Sequence, residues 1–121
     1  ERRFKALAGV HAGGGLFAFS SADGIHWKLL QDKPVITSKA FAFDSQNVSF
    51  WSVAEGQYVC YYRTLDTPHG RLRSISRTTS KDFIHWSERV AMNPNLPKEH
   101  LYTSLTQPYF RAPHIYIATP T

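Results

Sequence analysis

Short apolar runs alternating with polar positions cover this chain, and breaks at Gly, Pro and Asp separate them. Strands are predicted at residues 4–10, 16–20, 25–30, 47–54, 57–64, 72–79, 84–90, 101–110 and 114–119. Ala6, Leu7 and Ala8 would also tolerate helix, but no longer segment keeps a 3.6-residue period. In 16–20, Phe17 and Phe19 fall on one face. The run Tyr58-Val59-Cys60-Tyr61-Tyr62 is apolar on both faces, which predicts a central strand. Turns or links are expected at Gly13-Gly14-Gly15, Asp32-Lys33-Pro34, Glu55-Gly56, residues 66–70, the segment holding Pro94 and Pro97, and Arg111-Ala112-Pro113. The expected fold class is all-β.

One stretch occurs twice. Ser21-Ala22-Asp23-Gly24-Ile25-His26-Trp27 returns as Ser80-Lys81-Asp82-Phe83-Ile84-His85-Trp86, with Ser, Asp, Ile, His and Trp in register, at an offset of 80 − 21 = 59 residues. The same offset without a gap sets Phe43 on Tyr102, Ser45 on Ser104, Phe50 on Tyr109 and Trp51 on Phe110. A fixed period of this size marks a repeat architecture.

The repeated motif has a physical logic. Ser and Asp side chains bond nearby backbone groups and close a turn, and Gly24 permits positive φ. Ile25 and Trp27, two apart, would share a strand face, with Trp27 buried as an anchor. The expectation is therefore strand, polar turn, strand, with Ser21, Asp23, Trp27, Ser80, Asp82 and Trp86 as structural residues. A catalytic role for Asp23 and Asp82 competes with this reading, and local turn bonding is favoured over it.

The strand count suggests how the repeats are divided. Residues 44–90 would supply four antiparallel strands, residues 1–30 the last three of a unit, and residues 101–121 the first two. Four-stranded units at this spacing are blades of a β-propeller, so the expectation is one domain holding about two blades, one complete and two partial. Two blades leave apolar faces and strand edges in water. The chain is 2 × 59 + 3 = 121 residues long, and pairing of its two partial units between copies would complete a ring. A cyclic homo-oligomer is expected, a trimer favoured, with a compact two-sheet monomer as the alternative.

Composition narrows the chemistry. The formal charge is +5, which suits anionic partners, yet Arg71, Arg73 and Arg77 form the only basic cluster, so nucleic acid is disfavoured. Cys60 is the sole cysteine and is expected to be a buried, inert thiol. No Cys/His group has zinc-ligand spacing, so no metal and no cofactor are expected. No apolar run approaches the roughly 20 residues of a membrane span. Glu1 opens into a charged, then apolar segment with no signal peptide or initiator Met, which reads as a processed chain or a fragment and leaves the compartment open.

The two motif copies resemble the strand–turn segments of five-bladed propeller glycoside hydrolases, the clans of arabinanases, xylosidases, invertases and levansucrases. They are also similar to the Asp-box of sialidases, S-x-D-x-G-x-x-W, at a spacing one residue shorter. Phe43-Asp44-Ser45-Gln46-Asn47-Val48 resembles the start of an inner strand in those enzymes. The resemblance implies a funnel where carboxylates from several inner strands surround a sugar, and such hydrolysis takes at least two carboxyls roughly 5–10 Å apart. It makes Asp44 the candidate catalytic carboxylate. Its repeat partner Thr103 cannot serve, and Ala112 stands where the R-D-P motif of invertase-like members has Asp. Glu55, Glu88 and Glu99 are expected to be surface charges. The catalytic set is thus incomplete. The expected function is a glycan-binding, glycoside hydrolase-like propeller fragment, with Gln46, Trp51, Arg63, Arg111 and His114 as ligand-binding candidates. Trp51 would stack on a sugar or sit in the core. The alternative is a non-catalytic binding or scaffold propeller.

Overall fold

The alternation in residues 57–64 organises what surrounds it. In a computed structural model describing residues 3–10, 14–38, 42–65, 71–93 and 99–121, this segment is an inner strand of the largest sheet. Gly13, the 66–70 loop and the link at Pro94 and Pro97 lie outside the described residues. The fold is all-β, with no helix among the described residues. Strands β1 (Phe4–Val10), β2 (Gly15–Ser21) and β3 (Lys28–Leu29) form one antiparallel sheet in that order. Strands β4 (Val48–Ser52), β5 (Gln57–Thr64), β6 (Ser74–Ser80) and β7 (Val90–Ala91) form a second. Strands β8 (Gln107–Tyr109) and β9 (Ala112–Ile117) form a third, with a bulge at Pro108/Tyr109. None of the three closes on itself.

Because side chains alternate along a strand, β5 feeds two separate cores. Cys60 and Tyr62 pack with Leu16, Ile36, Ala42 and Phe43 toward the first sheet. Val59 and Tyr61 pack with Ile75 and Leu101, and with the half-buried Phe50 and Tyr116, toward the third. The middle sheet thus carries a hydrophobic layer on each face. Burial on this scale, at about 25 cal/mol per Å² of apolar surface, is the main favourable term available to a helix-free chain. Cys60 is fully buried, and that burial pushes its thiol pKa up to about 12.

The 59-residue offset holds where loop lengths match and breaks where they differ. β6 minus 59 gives residues 15–21, which is β2. Upstream, Phe4 pairs with Ser21 as Tyr58 pairs with Ser80, an offset of 58 − 4 = 54. The β1–β2 loop is shorter by those five residues.

Several expectations are corrected. The predicted strands at 25–30 and 84–90 shrink to Lys28–Leu29 and Val90–Ala91, because the motif's backbone N–H groups are taken by side chains instead of a neighbouring strand. Ile25 and Trp27 consequently belong to a turn, and Trp27 is 41% exposed rather than buried. The predicted turn at Arg111-Ala112-Pro113 is tighter, with Ala112 and Pro113 already in β9. The strand predicted at 101–110 is confined to Gln107–Tyr109.

Candidate functional site at the head of β4

The two motif copies close the same turn. Ser21 Oγ accepts from the backbone N–H of Asp23 and Gly24 at 3.3 and 2.9 Å, and Ser80 Oγ from Asp82 and Phe83 at 3.3 and 2.8 Å. Asp23 Oδ1 accepts from the N–H of Ile25 and His26, both at 2.9 Å, and Asp82 Oδ1 from Ile84 and His85, both at 2.8 Å. The other carboxylate oxygen of each Asp meets the following His Nδ1, at 2.7 and 2.6 Å. Trp27 and Trp86 donate Nε1–H to the carbonyls of Gly24 and Phe83, so each indole folds back over its own turn. The His bond, then the backbone donors, hold both carboxyls well below the usual carboxylate range. A carboxylate so occupied is a poor proton acceptor, and this geometry is a structural one.

Glu55 is also occupied. Its carboxylate takes both Arg77 Nη2 contacts, at 2.7 and 2.5 Å, and accepts from Tyr116 Oη at 2.7 Å and Gln57 Nε2 at 2.9 Å. Ser52 Oγ bonds Tyr116 Oη as well. The Arg77 bond outweighs desolvation and lowers the Glu55 pKa to about 2. The expectation of a surface charge is therefore corrected. Glu55 ties the β4–β5 turn to β6 and, through Tyr116, to β9. Arg77 is thereby removed from the basic cluster in which Arg71 and Arg73 precede β6.

A different arrangement forms just before β4. Asp44 Oδ1 accepts from Arg63 Nη2, and the Arg63 residue is 1% exposed while the Asp44 side chain remains 24% exposed. Burial, followed by the nearby charge of Arg73, lowers the proton affinity of Arg63, with Tyr102 acting the other way. Arg73 lies 5.2 Å over the Tyr102 ring. His100 Nδ1 accepts from Arg73 N at 3.0 Å, and Leu101 N–H donates to Arg73 O at 2.9 Å, which fixes the Tyr102 segment beside β6.

Two bonds join this segment to the loop before β4. Ser45 Oγ donates to Tyr102 O at 2.9 Å, and Gln46 Oε1 accepts from Leu105 N–H at 3.0 Å. Gln46 and Leu105 are 59 apart, so residues equivalent by the repeat bond one another directly. The head of β4 thus gathers an exposed carboxylate edge, two guanidinium groups and an aromatic ring.

The remaining sequence candidates lie elsewhere. Trp51 is exposed, edge-on to Tyr58 at 4.8 Å, and three residues beyond Val48, about 10 Å further along β4. Arg111 caps the exposed Phe110 ring at 5.3 Å in the β8–β9 turn. His114 is exposed on β9. Arg73 and Tyr102 were missed by sequence reasoning as site residues, although the match of Tyr102 to Phe43 marked its position. No group of three or more His, Cys, Asp or Glu that could hold a metal occurs among the described residues. Nor is any helix long and apolar enough to cross a membrane among them. No family model, curated protein or solved structure matches the chain.

Proposed function

We propose that this chain is a carbohydrate-binding stretch of a β-propeller, in which the three sheets are successive blades and the head of β4 faces the glycan. The observation that carries the reading is the direct bonding of repeat-equivalent loops, Ser45 to Tyr102 and Gln46 to Leu105, beside the Asp44–Arg63 pair. Separate apolar layers between successive sheets support the blade reading. The resemblance to five-bladed glycoside hydrolases supplies the ligand class. Binding is favoured over hydrolysis, because Asp23, Asp82 and Glu55 are committed to structural bonds and Asp44 is neutralised by Arg63.

A glycan array followed by a chromogenic glycoside screen tests this. Binding without turnover is the expected outcome, and Tyr102→Ala, which removes the exposed ring at the site, should weaken it about fivefold or more while leaving the circular dichroism spectrum unchanged. A folded chain that retains no glycan would overturn the reading.

The scaffold alternative draws on the open edges of β1 and β9. Both strands hold the same position, since β1 pairs with β2 as β5 does with β6, and β9 pairs with β8 as β5 does with β4. The nine strands among the described residues would leave one in excess at every junction of a homotrimeric ring of two-blade units. Sedimentation equilibrium separates the two: the glycan-binding reading tolerates a 13.8 kDa species, the homotrimer does not.

A further inference from the structure

We propose that the group bound at the head of β4 is anionic, the carboxylate or sulfate ester of an acidic sugar, with Arg73 as the residue that selects it. This rests on the carbohydrate reading above. Among the described residues, Asp44 is bonded to Arg63 at the head of β4, and Arg73 joins the site through Tyr102, whose ring it covers and whose carbonyl Ser45 holds. Asp44 is bonded to the buried Arg63, not to Arg73. Burial first, and then the charge of Arg73, lowers the proton affinity of Arg63, so positive charge at the site is not fully offset by Asp44. An anion held at the exposed Arg73 would offset that charge.

Arg73 is exposed and its guanidinium rests on the Tyr102 ring. Stacking on an aromatic face fixes the plane of the group while leaving its edge N–H donors available, and a planar fork matches carboxylate and sulfate oxygens. Tyr102 is itself 43% exposed, so a sugar ring reaching Arg73 would pass an aromatic surface. The backbone on both sides is held, by His100 Nδ1 at Arg73 and by Ser45 at Tyr102. The donor is therefore positioned before any ligand arrives, which lowers the ordering cost of binding. Arg71, Arg73 and Arg77 do not act as one basic patch, because Arg77 is spent on Glu55. That favours a small anionic substituent over a polyanion.

The test is calorimetric titration of the full chain with three oligosaccharides of equal length: a neutral galactan, an oligogalacturonate and a sulfated galactan. At least one acidic ligand is expected to bind about tenfold or more tightly than the neutral one, and the two acidic arms identify carboxylate or sulfate. Arg73→Gln should collapse the acidic-to-neutral ratio toward one, Arg73→Lys should restore part of it, and Lys28→Gln, on β3, should leave it unchanged. Equal or tighter binding of the neutral glycan would overturn the anionic inference while the carbohydrate reading stands. Binding of none by a chain that circular dichroism shows to be folded would overturn both. An unchanged ratio in Arg73→Gln, or equally tight binding of polyglutamate, would also overturn the inference.

Discussion

The turns at residues 21–27 and 80–86 make the same hydrogen bonds and differ in packing. Gly24 has φ 81° and Phe83 has φ 72°. A left-handed conformation costs an ordinary side chain roughly 1–2 kcal/mol, and glycine largely escapes that cost. The second turn bears it because the Phe83 ring is 1% exposed, edge-on to Tyr58 at 4.9 Å and to Trp86 at 5.4 Å. In the first turn the ring is supplied from across the sheet. Phe4, the register equivalent of Tyr58, approaches Gly24 so that an added Cβ would meet it at 3.7 Å. The turn is therefore specified by Ser and Asp bonding to backbone, while the residue at positive φ is set by which neighbour fills the space.

The largest effect should come from removing the ring. Phe83→Ala should destabilise by about 3–5 kcal/mol in urea unfolding, having lost the packing and kept the strained φ. Phe83→Gly should cost about 1 kcal/mol less, and a larger cost for glycine would break the comparison. Next comes a contact without a counterpart in the first sheet, where Ala18 stands 59 residues before Arg77. Arg77→Ala should destabilise by about 1–2 kcal/mol, since Glu55 and Arg77 are partly exposed and screened.

Gly24→Ala follows at about 1 kcal/mol, because its φ is strained for alanine although the Cβ finds ordinary contact. The smallest effect is on pH. Asp23, Asp82 and Glu55 all have folded pKa values below their unfolded ones, so their stabilisation is present above the unfolded pKa and disappears as pH falls toward the folded one. For Glu55 that window runs from 4.5 to about 2. Midpoint urea concentration should hold above pH 5 and decline below it, less steeply in Asp82→Asn.

Local features were the legible ones. The repeat, the side-chain-closed turns, the all-β class and the two-faced β5 all follow from residues close in sequence or at a fixed period. The short strands at β3 and β7 were not, since the pattern Ile25, Trp27 looks alike in a strand and in a turn whose indole folds back on it. Glu55 read as surface charge because its partners Arg77 and Tyr116 lie 22 and 61 residues away. Asp44 was legible as a site candidate, whereas Arg73 and Tyr102 join it only through bonds between distant loops.

The central claim is that the repeated turns are structural and that ligand binding belongs to the head of β4. Backbone amide NMR of the 13.8 kDa chain, titrated with the tightest of the three oligosaccharides, tests it most directly. The predicted shifts cluster at residues 44–47, Arg63, Arg73 and residues 101–105, with both turns silent. Shifts centred on His26 and His85, with the head of β4 unmoved, would contradict the account.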